Sequence, residues 1–538
     1  MAVYRNDQTE FGFAAEAGPG GYQELHTPTV DAGGLNTTLT VDIQPGDRSC
    51  TVAATTSLAV GDYIQVTSTN GHCETRKVVK ISGLVVYVDA PFAFFHDSAA
   101  TGETVKEVDV TGSFTGTSYM FHIPGIWETI EVPDPVMEIT PYFHMSTAAK
   151  RAFTGALKGR QTFSGSIPSF TVIDASALRF PLGAMATTGT VVGGGASGTL
   201  VVDTTTDARQ GVKGSYLIEV SAASTWDVGD KMQIDTGSSA EVVEIAAEIS
   251  SVIFRLTKPT RFAHLTGVAV TEVTTPYTHA ISESTVLDSI SWYVKNRDTD
   301  ETAANDIIRK YIGGKVGQAT LSASEGGVLT MAWDAVPFLD MVHNQKTSSA
   351  LSPTPKYSFS AGLSPTISYP TTEPYFFSQG SITMFGVEFA RIRNFSIGIS
   401  NSLEPYYFIR DQATGRIPHQ ITEGRREYTM SASIALPDSM AAATATTRSL
   451  FKELLAEGDY GSGMAGFNVV LVFTRGSSDT ITITIPSDGA ATTGINEQGA
   501  FIRSARQSVA TEPLVQAEVD IIFRNMKIDV VDTKAIYA

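Results

Sequence analysis

Residues 315–333 read Lys-Val-Gly-Gln-Ala-Thr-Leu-Ser-Ala-Ser-Glu-Gly-Gly-Val-Leu-Thr-Met-Ala-Trp. Ala319, Leu321 and Ala323 alternate with Thr320, Ser322 and Ser324, the period of a strand with one buried face. Glu325-Gly326-Gly327 then supplies a turn, and Leu329, Met331 and Trp333 resume the alternation, so the stretch predicts a β-hairpin. A second stretch of the same kind, Ile417 to Leu436, carries Glu423-Gly424 at its turn and places Tyr428, Met430, Ala432, Ile434 and Leu436 on one strand face. Its other face, Thr429, Ser431, Ser433 and Ala435, is small and hydroxylated, which suits a strand lying on another sheet or lining a smooth wall.

Each hairpin follows an alternating strand that ends in Asn. Ile290-Trp292-Val294-Asn296 precedes the first, and Phe395-Ile397-Ile399-Asn401 precedes the second, 105 residues later. The pattern predicts a doubled chain, each half a sheet covered by one helix. The helix candidates are Asp300 to Tyr311, acidic early and basic late, and Ser449 to Leu455, with Leu450, Phe451, Leu454 and Leu455 on one side and Gly458 beyond. Ala517-Val519-Ile521-Phe523 and Met526-Ile528-Val530 alternate again and are expected to close the second sheet.

A closer repeat interrupts this pattern. Val60-Gly61-Asp62-Tyr63-Ile64-Gln65-Val66 recurs as Val228-Gly229-Asp230-Lys231-Met232-Gln233-Ile234. Val78-Val79-Lys80-Ile81 then matches Val242-Val243-Glu244-Ile245, and Phe94-Phe95-His96 matches Phe262-Ala263-His264. Gly102 to Val108 answers Gly267 to Val273. The match outlines a duplicated unit of about 60–75 residues, short amphipathic strands linked by turns, expected to form a small β-barrel or sandwich in each copy.

At 538 residues the chain is too long for one compact core. Charged residues are only 17 %, and 38 Lys and Arg stand against 56 Asp and Glu for a net charge of -18. Such a balance opposes a nucleic-acid grip, which needs clustered cations to neutralise phosphates, while a surface that DNA slides past can be acidic. The two cysteines, Cys50 and Cys73, fall in the first copy of the small module, and reduced thiols are the expectation there. The start MAVYRNDQTEFGF lacks the basic and apolar regions of a secretory signal, and no apolar run of about 20 residues is present, so cytoplasmic synthesis and no membrane span are expected.

Candidate chemistry is sparse. There is no Gly-x-Ser-x-Gly, His-Glu-x-x-His, Gly-x-x-x-x-Gly-Lys-Ser/Thr or Cys-x-x-Cys pattern, so no catalytic, cofactor-binding or metal-ligating residue is assigned and no cofactor is expected. His96 and His264 hold equivalent places without neighbouring ligands at metal spacing, and read as closing a turn by hydrogen bonding. Gly193 to Gly198 is a flexible entry linker to the second module; no Lys-Ser/Thr ending follows it. Asp298-Thr299-Asp300-Glu301 reads as the cap of the predicted helix, and Lys158-Gly159-Arg160 with Arg425-Arg426 as surface or inter-subunit salt-bridge residues.

The order of these elements resembles the tail-tube, or major tail, proteins of long-tailed phages (siphophages). The likeness starts at Phe11-Gly12-Phe13-Ala14-Ala15-Glu16 and resumes from Ile130 to Pro168, where Lys158 to Ser166 looks like the family's glycine-bounded strand pair. Leu178 to Gly183, the Gly314-Lys315-Val316 hairpin, the Asn401 strand and the Gly424-Arg425 hairpin follow in family order. The resemblance implies a mainly β fold, a tube-type sandwich or barrel with flanking helices. It is duplicated in the chain and interrupted by two small β-modules. The expected division is 1–39, 111–190 and 276–345 for a first tube domain, 346–538 for a second, and 40–110 and 191–275 for the inserts. It further implies a virion protein whose rings stack into a hollow tube for phage DNA, three chains giving a pseudo-six-fold ring, or six a hexamer. Tape-measure, tail-terminator and distal tail proteins would be its partners, with the inserts outside the bore. A capsid decoration or baseplate protein, or a carbohydrate-binding adhesin, is the alternative.

Overall fold

The structure is a computed structural model. It describes residues 4–16, 29–30, 33–44, 47–67, 73–88, 92, 96–99, 104–109, 120–122, 125, 127–142, 155–201, 217–221, 226–258, 260–298, 307–343, 366–368, 371–384, 387–388, 392–407, 418, 420–435, 468–487, 500–508 and 516–536. Strands, numbered here along the chain, dominate. Among the described residues the helical pieces are two three-residue 3-10 turns, Gly237–Ser239 and Phe377–Gln379. The predicted helix at Ser449–Leu455 lies outside these residues.

Nine strands build a first unit: β1 (Tyr4–Ala15), β9 (Met120–His122), β10 (Val136–Tyr142), β11 (Gly155–Thr171), β19 (Ile290–Asp298), β20 (Ile307–Gly314), β21 (Gln318–Ser324), β22 (Thr330–Phe338) and β23 (Asp340–His343). Nine more build a second: β25 (Gly380–Met384), β26 (Val387–Glu388), β27 (Ile392–Ser400), β30 (Glu427–Ala435), β31 (Val469–Arg475), β32 (Asp479–Ile485), β33 (Ala500–Ser508), β34 (Gln516–Phe523) and β35 (Lys527–Asp532). In the first, β9, β1, β19, β20 and β23 lie side by side, and so do β10, β11, β22 and β21. In the second, β26, β25, β31, β32 and β35 repeat the one row, and β27, β30, β34 and β33 the other. The chain thus carries one pairing pattern twice, strand for strand in the same chain order.

The pattern corrects the sequence repeat in detail. Ile290–Asp298 answers Val469–Arg475, not the Phe395–Asn401 strand, and the hairpin of β21 and β22 answers β33 and β34. Short alternating strands look alike at many offsets, so the period identified the strands but not their partners. The hairpin expected across Glu423-Gly424 is not one. β29 (Gln420–Thr422) pairs with β28 (Glu404–Tyr406), while β30 lies between β27 and β34. The helix predicted to end at Tyr311 is also a strand over its described part. Ile307–Gly314 pairs with β19 on one side and β23 on the other, and Ile307, Ile308 and Tyr311 are strand formers that fill an available gap between two edges.

The two sheet layers enclose one core. Trp292 of β19 stacks on Trp333 of β22, ring centroids 6.4 Å apart, joining the layers at the centre of the first unit. Phe11 meets Trp292 edge-on, and Phe13, Phe170 and Phe180 meet Trp333 the same way, the geometry that aligns ring edges with ring faces. Phe395, Ile397, Met430, Leu471, Ile483 and Ile521 continue the same core through the second unit.

The duplicated modules each add a ring of six strands. In the second, β13 (Ser197–Val201), β14 (Leu217–Val220), β17 (Ile253–Leu256), β16 (Glu241–Ser250), β15 (Lys231–Ile234) and β18 (Ala269–Glu283) pair in that order, and β18 returns to β13. In the first, β4 (Ser49–Thr51), β7 (Val85–Val88), β6 (Cys73–Ser82), β5 (Tyr63–Thr67), β8 (Thr104–Asp109) and β3 (Asn36–Thr37) do the same, and a Leu39–Val52 bridge closes the circle. Each is a small antiparallel barrel around its own apolar cluster.

The Val-Gly-Asp repeat forms identical turns. Asp62 accepts the Ala59 amide and Asp230 the Asp227 amide, while Gly61 and Gly229 adopt φ of 109° and 100°, a region that excludes other side chains at low cost. Val78 bonds to the first turn as Ile245 does to the second. Val78 therefore answers Ile245, not Val242, because a short valine-rich run matches itself when slid. Barrel one begins and ends on a pair, Thr29 of β2 (Thr29–Val30) opposite Asp109, and barrel two leaves and rejoins β12 (Gly183–Val191) and β18 with Val191 opposite Val273. β24 (Thr366–Ser368) lies parallel on β9.

Candidate functional site

No group of three or more His, Cys, Asp or Glu placed to hold a metal occurs among the described residues. His264 lies buried with Nε2 2.5 Å from Glu241 Oε1. Burial opposes its charge, but the hydrogen bond and charge of Glu241, with Asp235 behind, raise its pKa above 6.5. Glu241 also accepts the Arg261 and Phe262 amides, so the group ties down the loop before β18, the turn-closing part read from sequence. His96 is fully buried and exchanges both backbone hydrogen bonds with Ile43. Cys50 is a free thiol whose pKa burial pushes up to about 12, which leaves it unreactive.

One sheet runs across both units and has eight strands, in the order β10-β11-β22-β21-β27-β30-β34-β33. The two units join through β21 and β27, antiparallel from Gln318 opposite Ser400 to Ser324 opposite Asn394. One face of this sheet is core: Ala319, Leu321 and Ala323, then Phe395, Ile397 and Ile399, then Tyr428, Met430, Ala432 and Ile434. The other face is small and hydroxylated, with Thr320, Ser322, Ser324, Ser396, Gly398, Thr429 and Ser431, as the 417–436 stretch predicted for its own strand. Asp334, Glu427, Glu518 and Asp520 are exposed on this face, and Arg506 of β33 stands opposite Glu518.

The seam between the units is bolted at its end by polar residues. Asn401 is buried, donates to the Pro181 and Val316 carbonyls, and accepts from Arg426 Nε at 2.6 Å. Lys315 donates to Glu423 at 2.7 Å and to the Ile421 carbonyl. Burial alone would raise the Glu423 carboxyl, but the Lys315 hydrogen bond and the Leu287 amide carry it below its usual range. Sequence reading found Asn401 and Arg426 as isolated signals; their pairing across the seam has no local signature.

The predicted basic clusters separate. Arg160 pairs with Glu138 and Arg425 with Glu427, both exposed pairs that contribute little, while Arg426 joins Glu283 and Asn401 in the seam. Of the stretch expected to cap a helix, Asp298 ends β19, and Thr299 to Glu301 lie outside the described residues. β10 and the first part of β11 form an arm carrying exposed Val136, Ile139 and Leu157.

Among the described residues no helix is long and apolar enough to cross a membrane. No curated protein matches the chain. A family model described as phage tail tube protein matches residues 155–521, from the start of β11 into β34. With a mainly β fold and a family match over most of its length, the chain belongs to the phage tail tube proteins.

Proposed function

We propose that this chain is the structural subunit of the tail tube of a long-tailed phage, polymerising as stacked rings around a channel that delivers DNA to the host. The observation that carries the reading is the eight-stranded sheet: two units side by side, one hydroxylated face, and an outer strand at each end that pairs on one side only among the described residues. Open strand edges drive association, and closing them into a ring removes the liability. Each chain supplies two units, so three chains give a ring of six. The hydroxylated face lines the bore, where Asp334, Glu427, Glu518 and Asp520 repel phosphate and let DNA pass without adhering.

The division into domains follows the same reading. Residues 1–28, 111–190 and 276–345 form one tube domain and 346–538 the other; the boundary expected at 39 moves to Thr29, because β2 and β3 pair with β8 of barrel one. The barrels, 29–110 and within 191–275, are inserts that stand outside the bore, because a folded barrel inside would block DNA. Tape-measure, tail-terminator and distal tail proteins meet the tube at its ends, and the protein is not an enzyme. Negative-stain microscopy of the concentrated protein tests this: hollow tubes with external knobs are expected, and dispersed monomers at every concentration would favour a decoration protein or adhesin instead.

A further inference from the structure

The seam inside the chain specifies the contact between chains, an inference that rests on the tube reading above. β21 and β33 occupy the same place in the two units, each the hairpin neighbour of the strand beside it, β22 or β34. The place that β27 takes beside β30 is taken beside β11 by one edge, the segment 127–132 followed by β10. Its bridges Trp127–Phe170 and Glu131–Ser166 stand where Ile392–Ile434 and Ser396–Ser431 do: the outer strand advances four residues in both, while β11, with its irregularity between Ile167 and Phe170, uses four residues where β30 uses three. Phe170 and Ile434 in turn face Met331 and Ala517, which fixes the alignment independently. On that alignment Ser322 opposite Thr330 corresponds to Ser508 opposite Gln516.

Within the chain Ser322 lies opposite Ser396. We propose that β33 of one copy pairs antiparallel with residues 127–132 of the next, Ser508 opposite Glu131 and Gln507 opposite Val132. Among the described residues β33 pairs only with β34, and segment 127–132 bridges only to β11, so no other described strand covers either edge. Their charges are opposite. Arg503 and Arg506 are exposed on β33, and Glu128 and Glu131 on the other edge. Arg506, two residues from Ser508, takes the diagonal place beside Glu131 on the same face. Two like edges repel each other, so the contact is head-to-tail, the arrangement that closes into a ring.

Paired cysteines in the full-length chain, oxidised after assembly, test the register. Ser508→Cys with Glu131→Cys is expected to give disulfide-linked multimers on non-reducing gels, while Gln507→Cys with Glu131→Cys stays monomeric, since one residue of slip turns the side chains to opposite faces. Tubes visible by microscopy in which the slipped pair links, or neither pair links, would overturn the register and leave the tube reading standing. Failure of the unsubstituted protein to form rings or tubes would overturn both. Charge reversal gives a second readout: Arg506→Glu is expected to abolish assembly and Arg506→Glu with Glu131→Arg to restore it, and equal failure of both variants, each folded by circular dichroism, would count against the contact.

Discussion

Asn401 shows how much rests on single side chains at the seam. Its amide satisfies two buried carbonyls and holds Arg426, so Asn401→Ala leaves three polar groups without that partner. An unsatisfied buried group costs about 1–3 kcal/mol, and a loss of that order is expected in denaturant unfolding, with little change from Arg425→Ala at an exposed pair. His264 makes a pH-dependent contribution. Because its folded pKa lies above the ordinary 6.5, the bond to Glu241 stabilises fully below that value and is lost as pH rises through the raised one. Thermal unfolding should therefore show His264→Gln well below the parent near pH 6 and closer to it near pH 9. An unchanged gap across that range would contradict a charged His264. The histidine itself was legible as a turn-closing residue, but Glu241, 23 residues earlier, was not, because only the closed barrel brings them together.

At the scale of elements, strand alternation was legible wherever one face met the core: Gln318–Ser324, Glu427–Ala435 and Gln516–Phe523 are all strands as their period requires. What period two cannot convey is the neighbour. The Glu423-Gly424 turn looked like a hairpin because a hairpin is the shortest way to pair two strands, yet β27 and β34 compete for β30 and win by covering its whole length. The helix expected over Asp300–Tyr311 failed in its described part, Ile307–Tyr311, for the opposite reason, a charge gradient suited to a helix overridden by the open edges of β19 and β23. The barrels were found by identity and not by period, so they survived a three-residue slip in their alignment. Their entry and exit strands are paired, so replacing 192–272 by a short glycine-containing turn should leave β12 and β18 as a plain hairpin. Such a variant is expected to remain soluble and to assemble, as checked by sedimentation; loss of folding would show that barrel two is part of the core it projects from.

Over the whole molecule, the doubled pairing pattern is the feature with the widest consequence. Sequence indicated a doubling and resemblance indicated a tube, but the equivalence of units emerges only from which strands lie together. The same doubling places a basic edge at one end of the sheet and an acidic edge at the other, so assembly should weaken as salt screens the contact. Light scattering in rising salt checks this, with slower assembly expected, and no salt effect would argue that edge charge is irrelevant. The central claim, that two equivalent units per chain form successive segments of one ring wall, is tested most directly by cryo-electron microscopy of assembled tubes. Rings of six similar wall segments from three chains are expected, with Thr320, Ser322, Ser396, Thr429 and Ser431 facing the bore and both barrels outside. Rings in which the eight-stranded sheet faces outward, or in which the two units of a chain occupy dissimilar positions, would contradict it.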